Sequence, residues 1–128
     1  MKKFLITLLS AGSFLLGTVS AWAQSAPKSV IHVVTVAWKA STTPEQIQAA
    51  LDSAQALPAA YKGITHVWTK TLKVQNIKEA PVKKTHVIVM EFADDAALKA
   101  YTDSPAQKEW YKVYLPIRDQ STTFDITN

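Results

Sequence analysis

The chain has 128 residues, 48% hydrophobic and 19% charged, enough for one small globular core and too little for two. That hydrophobic fraction, with only three Gly, excludes a disordered or collagen-like polypeptide, and the absence of Cys excludes a disulfide framework, a zinc finger, iron–sulfur ligation and a thiol nucleophile. The formal charge of +4 is scattered, with Lys83-Lys84 the one adjacent basic pair beyond the first residues, so no nucleic-acid surface is expected.

Residues 1–23 read as a secretory signal rather than as fold. Met1-Lys2-Lys3 is a charged start, Phe4 to Leu9 and Phe14 to Val19 are apolar, and Ala21-Trp22-Ala23 places small residues at −3 and −1 of a cleavage site. Cleavage after Ala23 predicts a periplasmic or secreted protein with no membrane association afterwards. Residues 24–29 form a short polar entry, and residues 30–128 a single domain.

Val30 to Lys39 is a strand by β-branched content, apolar on both alternating faces. Thr43-Pro44-Glu45-Gln46 has the pattern of a capping box and opens a helix carrying Ile47, Ala50, Leu51, Ala54 and Leu57 on one stripe. Pro58 should bend or stop that helix, and Gly63 should sit in the turn to a second strand, Ile64 to Val74. A polar loop, Gln75 to Val82, leads to a third strand, Lys84 to Phe92, again apolar on both faces. Asp94-Asp95 opens a second helix with Leu98 and Tyr101 inward. Ser104-Pro105-Ala106-Gln107, a second predicted capping box, opens a third helix with Trp110, Val113 and Tyr114, ended by Pro116. Ser121 to Ile126 is a last short strand.

The order β-α-β-β-α-α-β fits an α+β, ferredoxin-like sandwich, with helices on one face of a four-stranded sheet. The other face is apolar too and needs cover, most simply from a second copy, which predicts a homodimer through the sheet face. Val33 and Val89, at odd separation from His32 and His86, should lie on that face.

The segments IHVVTVAWK, THVIVMEF, LKAYTDSPAQKEW and TTFDI, in that order, resemble the stress-responsive dimeric α/β-barrel family over Val30 to Ile126. The resemblance implies a ferredoxin-like fold whose two sheets pair into a dimeric α/β barrel. Members include plant stress proteins, a plant polyketide cyclase and bacterial proteins of unknown activity, so membership implies fold more than function.

The predicted pocket is His32, His86, Ile88, Tyr101 and Gln107. In this topology the strands bearing His32 and His86 are neighbours, so the two rings could share a layer and reach one another. They would then be either an acid/base or ligand-anchoring pair, or core histidines satisfying each other. By resemblance to the cyclase, Tyr101 matches a pocket tyrosine that orients substrate and passes a proton. Gln107 stands where that enzyme has its His base, and a carboxamide cannot accept a proton near neutral pH. Arg118 to Ser121 would give any nearby cavity a rim suited to a polar or anionic ligand. No third ligand joins His32 and His86: His66 is on an edge strand and Glu91 should face away, so no metal or cofactor is expected.

The leading reading is an exported homodimeric module that binds a small apolar or aromatic ligand without chemistry of its own. The alternative is a cyclase-like acid/base enzyme using His32, His86 and Tyr101, and a further one is a structural subunit of a larger assembly.

Overall fold

The computed structural model describes residues 27–73, 75 and 83–127. The signal reading, half of the polar entry and nearly all of the loop before the third strand lie outside the described residues.

Four strands, β1 (Val30–Trp38), β2 (Ile64–Thr71), β3 (His86–Phe92) and β4 (Arg118–Ile126), form one antiparallel sheet in the order β2-β3-β1-β4. The helices are α1 (Pro44–Gln55), α2 (Leu57–Ala60), α3 (Asp95–Tyr101) and α4 (Pro105–Tyr114). This is the ferredoxin-like order, with β1 and β3 central and β2 and β4 at the edges. One turn of helix, α2, was not expected. Pro58 cannot donate to the carbonyl of residue 54, so α1 stops at Gln55 and the chain restarts with Pro58 in the first turn of α2.

The two helix starts differ. At α1 the box closes as predicted: the Gln46 N–H donates to Thr43 Oγ1 (3.3 Å), and Gln46 Oε1 accepts from the Thr43 N–H (2.9 Å). At α4, Ser104 Oγ accepts from the Gln107 N–H (3.2 Å), but Gln107 Oε1 accepts from Asp103 (2.8 Å) instead. The Ser104 N–H goes back to the Tyr101 carbonyl (2.9 Å). The second predicted box is thus displaced by one residue. Asp103 has φ 63°, the one positive φ among the described non-Gly residues, and Gln107 ties down that left-handed turn.

Alternation divides the sheet as the sequence predicts. Val30, Val34, Val36, Ile88, Met90, Phe92 and Ile64 are buried against Leu51, Ala54, Leu57, Tyr101, Trp110 and Tyr114. Among the described residues, no helix lies on the opposite face. There Trp68, Val89, Val33 and Phe124 stand in register as one row across all four strands. Trp68 is 44% and Phe124 47% exposed.

Gly63 is in the predicted turn, but for want of room rather than for an unusual φ. A Cβ there would lie 2.5 Å from the Tyr61 ring and 3.0 Å from Ala97 Cβ. Tyr61 cannot easily yield, because its hydroxyl donates to the Ala97 carbonyl (2.7 Å). Gly63→Ala should therefore lower stability by about 1–3 kcal/mol in urea unfolding, the usual cost of overpacking. The loss should be smaller in a Tyr61→Ala background, where the ring is gone.

Candidate ligand-binding site

β4 presents Ser121, Thr123 and Asp125 to the helix side, opposite Val36, Val34 and His32 of β1. These side chains are polar and mostly short, and they leave space beneath α3 and α4. The result is a cavity of about 250 Å³. Its floor is His32, Val34, Ser121 and Thr123; α3 contributes Leu98 and Tyr101, followed by Thr102; α4 contributes Gln107, Trp110, Tyr111 and Tyr114; Arg118 completes the wall.

Tyr101 and Tyr114 are each 2% exposed. Neither hydroxyl has a hydrogen-bond partner among the described residues, in contrast to Tyr61. Burial pushes the Tyr101 phenol well above the ordinary tyrosine range and raises that of Tyr114 as well. For Tyr114 the nearby Ser121 and Arg118 oppose the rise without reaching hydrogen-bond geometry at its hydroxyl. Both are therefore protonated donors at neutral pH. Tyr101 packs on Phe92 (centroids 5.3 Å) and Tyr61 (5.5 Å), while Tyr114 stacks on Trp110 at 4.4 Å with Trp38 edge-on at 6.0 Å.

His32 Nδ1 lies 2.6 Å from Asp125 Oδ1. An ionised carboxylate only accepts, so Nδ1 carries the proton, and Nε2 is the nitrogen left for a ligand. The ring is also held edge-to-face by Phe92 at 5.9 Å.

The structure separates the predicted histidine pair. Both are on the helix side, but His32 is opposite Met90 and His86 opposite Val36, four residues along the strands. That is roughly 13 Å, too far for the rings to meet. His86 Nδ1 accepts from the Trp38 indole N–H (2.9 Å), with Thr85 Oγ1 also at 2.9 Å. Ile88 is fully buried core. Of the predicted pocket, His32, Tyr101 and Gln107 line the cavity, whereas His86 and Ile88 do not. The sequence reading missed Asp125 as a partner for His32, and Thr123 as part of the floor. The polar alternation Ser121, Thr123, Asp125 was the available signal. His66 and Glu91 meet on the other face (2.7 Å), and no three potential metal ligands converge among the described residues.

The fold and this placement of side chains define an α+β protein with a small polar-lined cavity at one end of its sheet. The sequence matches the stress responsive A/B barrel domain over residues 30–128, and the chain belongs to that family. Among solved structures, it resembles a hydroxynitrile lyase from Passiflora edulis at 17% identity, covering 80% of this chain and 95% of that one with a TM-score of 0.69. It also resembles an Arabidopsis thaliana protein at 20% identity, covering 77% and 94% with a TM-score of 0.68. A ferredoxin-like member of the same family from Mesorhizobium loti is 21% identical, with 78% and 96% covered and a TM-score of 0.63. No curated protein matches the chain in sequence.

Desolvation holds His86 below its ordinary pKa of 6.5, and its Nδ1 is already occupied by the Trp38 N–H. The unfolded chain therefore takes up that proton first. Stability should be full above pH 6.5 and fall as pH drops through the folded pKa. His86→Gln, which keeps an acceptor for Trp38, should remove that part of the pH dependence in urea unfolding.

Proposed function

We propose that the protein is an exported homodimer that pairs through its open sheet face and binds a small molecule in the cavity beneath α3 and α4. The observation that carries the binding reading is the pair of buried, unpartnered hydroxyls on Tyr101 and Tyr114. Each costs about 1–3 kcal/mol in an empty fold, and a ligand with acceptors would meet both. The cavity lies just under the size usual for drug-like ligands, which suits a one-ring molecule with an apolar or aromatic body. Export rests on the sequence of residues 1–23 alone.

The pairing reading is supported by the row Trp68–Val89–Val33–Phe124, with the exposed Ile126 beside it, on a sheet face that no helix among the described residues covers. It is supported also by similar ferredoxin-like structures from Thermobifida fusca and Bacteroides fragilis described as dimeric.

A second reading is an acid/base enzyme, favoured by the contact between His32 and Asp125 on the same cavity as Tyr101. The Passiflora edulis lyase and a cofactor-independent oxygenase from Streptomyces nogalater have similar folds, so the fold does not oppose catalysis. Gln107 is no base in this reading: its oxygen is committed to the Asp103 N–H. His32 would move the proton and Tyr101 would orient the substrate. Turnover of any poly-β-keto or cyanohydrin substrate that disappears in a folded His32→Ala protein would establish it over simple binding.

Two outcomes test the main reading. Val33→Asp places a charge in the middle of the apolar row, where burial without a partner costs several kcal/mol. Light scattering should show a dimer for the parent and a monomer or aggregate for the variant; a folded, dimeric Val33→Asp would overturn pairing through this face. Tyr101→Phe and Tyr114→Phe should each raise the unfolding free energy of the unliganded protein by about 1 kcal/mol. Each should also weaken whatever ligand co-purifies, as read by native mass spectrometry. A loss of stability in both would mean that the hydroxyls already have partners and that the cavity awaits nothing.

A further inference from the structure

We propose that the cavity takes a small monoanion, a carboxylate borne on a one-ring body, with the carboxylate at the Arg118 end. The inference rests on the binding reading above and adds the charge and orientation of the ligand.

Arg118 is the one permanently charged side chain on the cavity wall. The ion pairs among the described residues are His32–Asp125, His66–Glu91, Lys99–Asp95 and Lys112–Glu109, and none involves Arg118. Its guanidinium makes a long contact to Ser121 Oγ (3.4 Å), sits 5.7 Å above the Tyr114 ring and lies near the Tyr114 hydroxyl. It is thus a half-buried fork with no carboxylate partner among the described residues, beside the buried Tyr114 hydroxyl. A planar carboxylate fits such a fork with two parallel hydrogen bonds.

Further donors line the cavity. Tyr101 and Tyr114 remain protonated and offer O–H donors. Gln107 has spent its oxygen on Asp103, so its amide N–H₂ is the part still to offer. No carboxylate side chain is among the described residues that line the cavity, and Asp125, in contact with the lining His32, is engaged by it. His32 Nε2 and the Ser121 and Thr123 hydroxyls can accept, but the only fixed charge on the wall is the cation of Arg118, so an anionic group is favoured there and a cationic one is opposed. Val34, Leu98 and Trp110 supply apolar surface for a ring.

The groove on the other side of α4 is a useful contrast. It measures about 310 Å³ and is walled by Ala56, Leu57, Ala60, Ala106 and Trp110, with Glu109 its one charged group. It has neither a cation nor an unpartnered buried hydroxyl among its lining residues.

Isothermal titration of the purified protein with benzoate, benzamide and benzylamine separates the possibilities by charge on a nearly constant shape. Benzoate should bind at least tenfold more tightly than benzamide, and benzylamine should not bind measurably. Arg118→Gln, checked for fold by circular dichroism, should bring benzoate down to the benzamide level. Lys112→Gln, which removes a cation on α4 outside the cavity, should leave benzoate unchanged. Equal binding of benzoate and benzamide to the parent protein would overturn the anion inference and leave the cavity as a binding site. Failure of all three probes would overturn both readings. A preference for benzoate that survives Arg118→Gln would place the anion elsewhere and also overturn the inference.

Discussion

Trp110 ties α4 to α1 by one hydrogen bond. Its indole stacks on Tyr114 at 4.4 Å, and its N–H donates to the Ala50 carbonyl of α1 at 3.2 Å. Tyr114 in turn meets the edge of Trp38 at the end of β1. These contacts draw α4 toward α1 and the centre of the sheet, while β4 packs chiefly against β1. The short polar side chains of β4 are therefore left without a helix directly above them. The cavity follows from that offset, and moving α4 outward to fill it would break the Trp110–Ala50 hydrogen bond and the Tyr114–Trp38 contact.

The same offset explains why two phenols are buried with nothing to bond. Tyr101 and Tyr114 are needed as rings, one against Phe92 and Tyr61, the other between Trp110 and Trp38. Phenylalanine would fill both places with no buried polar atom. Tyrosine at both costs stability in the empty protein, and such local costs gather where a protein meets something else. Tyr61, whose ring has a carbonyl within reach, shows that this fold can satisfy a phenol when binding is not at stake.

Much of this was legible from residues. Pro44 and Pro105 behind Thr43 and Ser104 marked two helix starts, and the β-branched runs marked the strands. The two-faced apolar pattern of β1 and β3 anticipated a sheet with one face left open. What the residues could not supply was register. Whether His32 and His86 meet depends on which positions of β1 and β3 stand opposite, and an antiparallel pairing carried the two histidines apart rather than together. Gln107 is a similar case. Three residues after Ser104 it has the spacing of a capping box, yet the left-handed turn at Asp103 turned the preceding N–H toward its side chain. Gly63 was placed correctly for the wrong reason, because crowding by a distant Ala97 cannot be seen in local sequence.

The register shift in β2 has a consequence of another kind. Between Ile64 and His66 one extra residue is inserted against β3, so the outer strand is kinked at its start. Edge strands are open templates for unwanted pairing with other chains, and bulges and charges blunt them. β2 carries Lys70 beyond its bulge, and β4, on the other edge, carries Arg118, Asp119 and Asp125. Growth of the sheet sideways is thereby discouraged at both ends, while the flat apolar row is left available. A surface that can join copies only face to face uses itself up in one twofold contact, and an assembly built that way stops growing at two subunits instead of running on into a fibre.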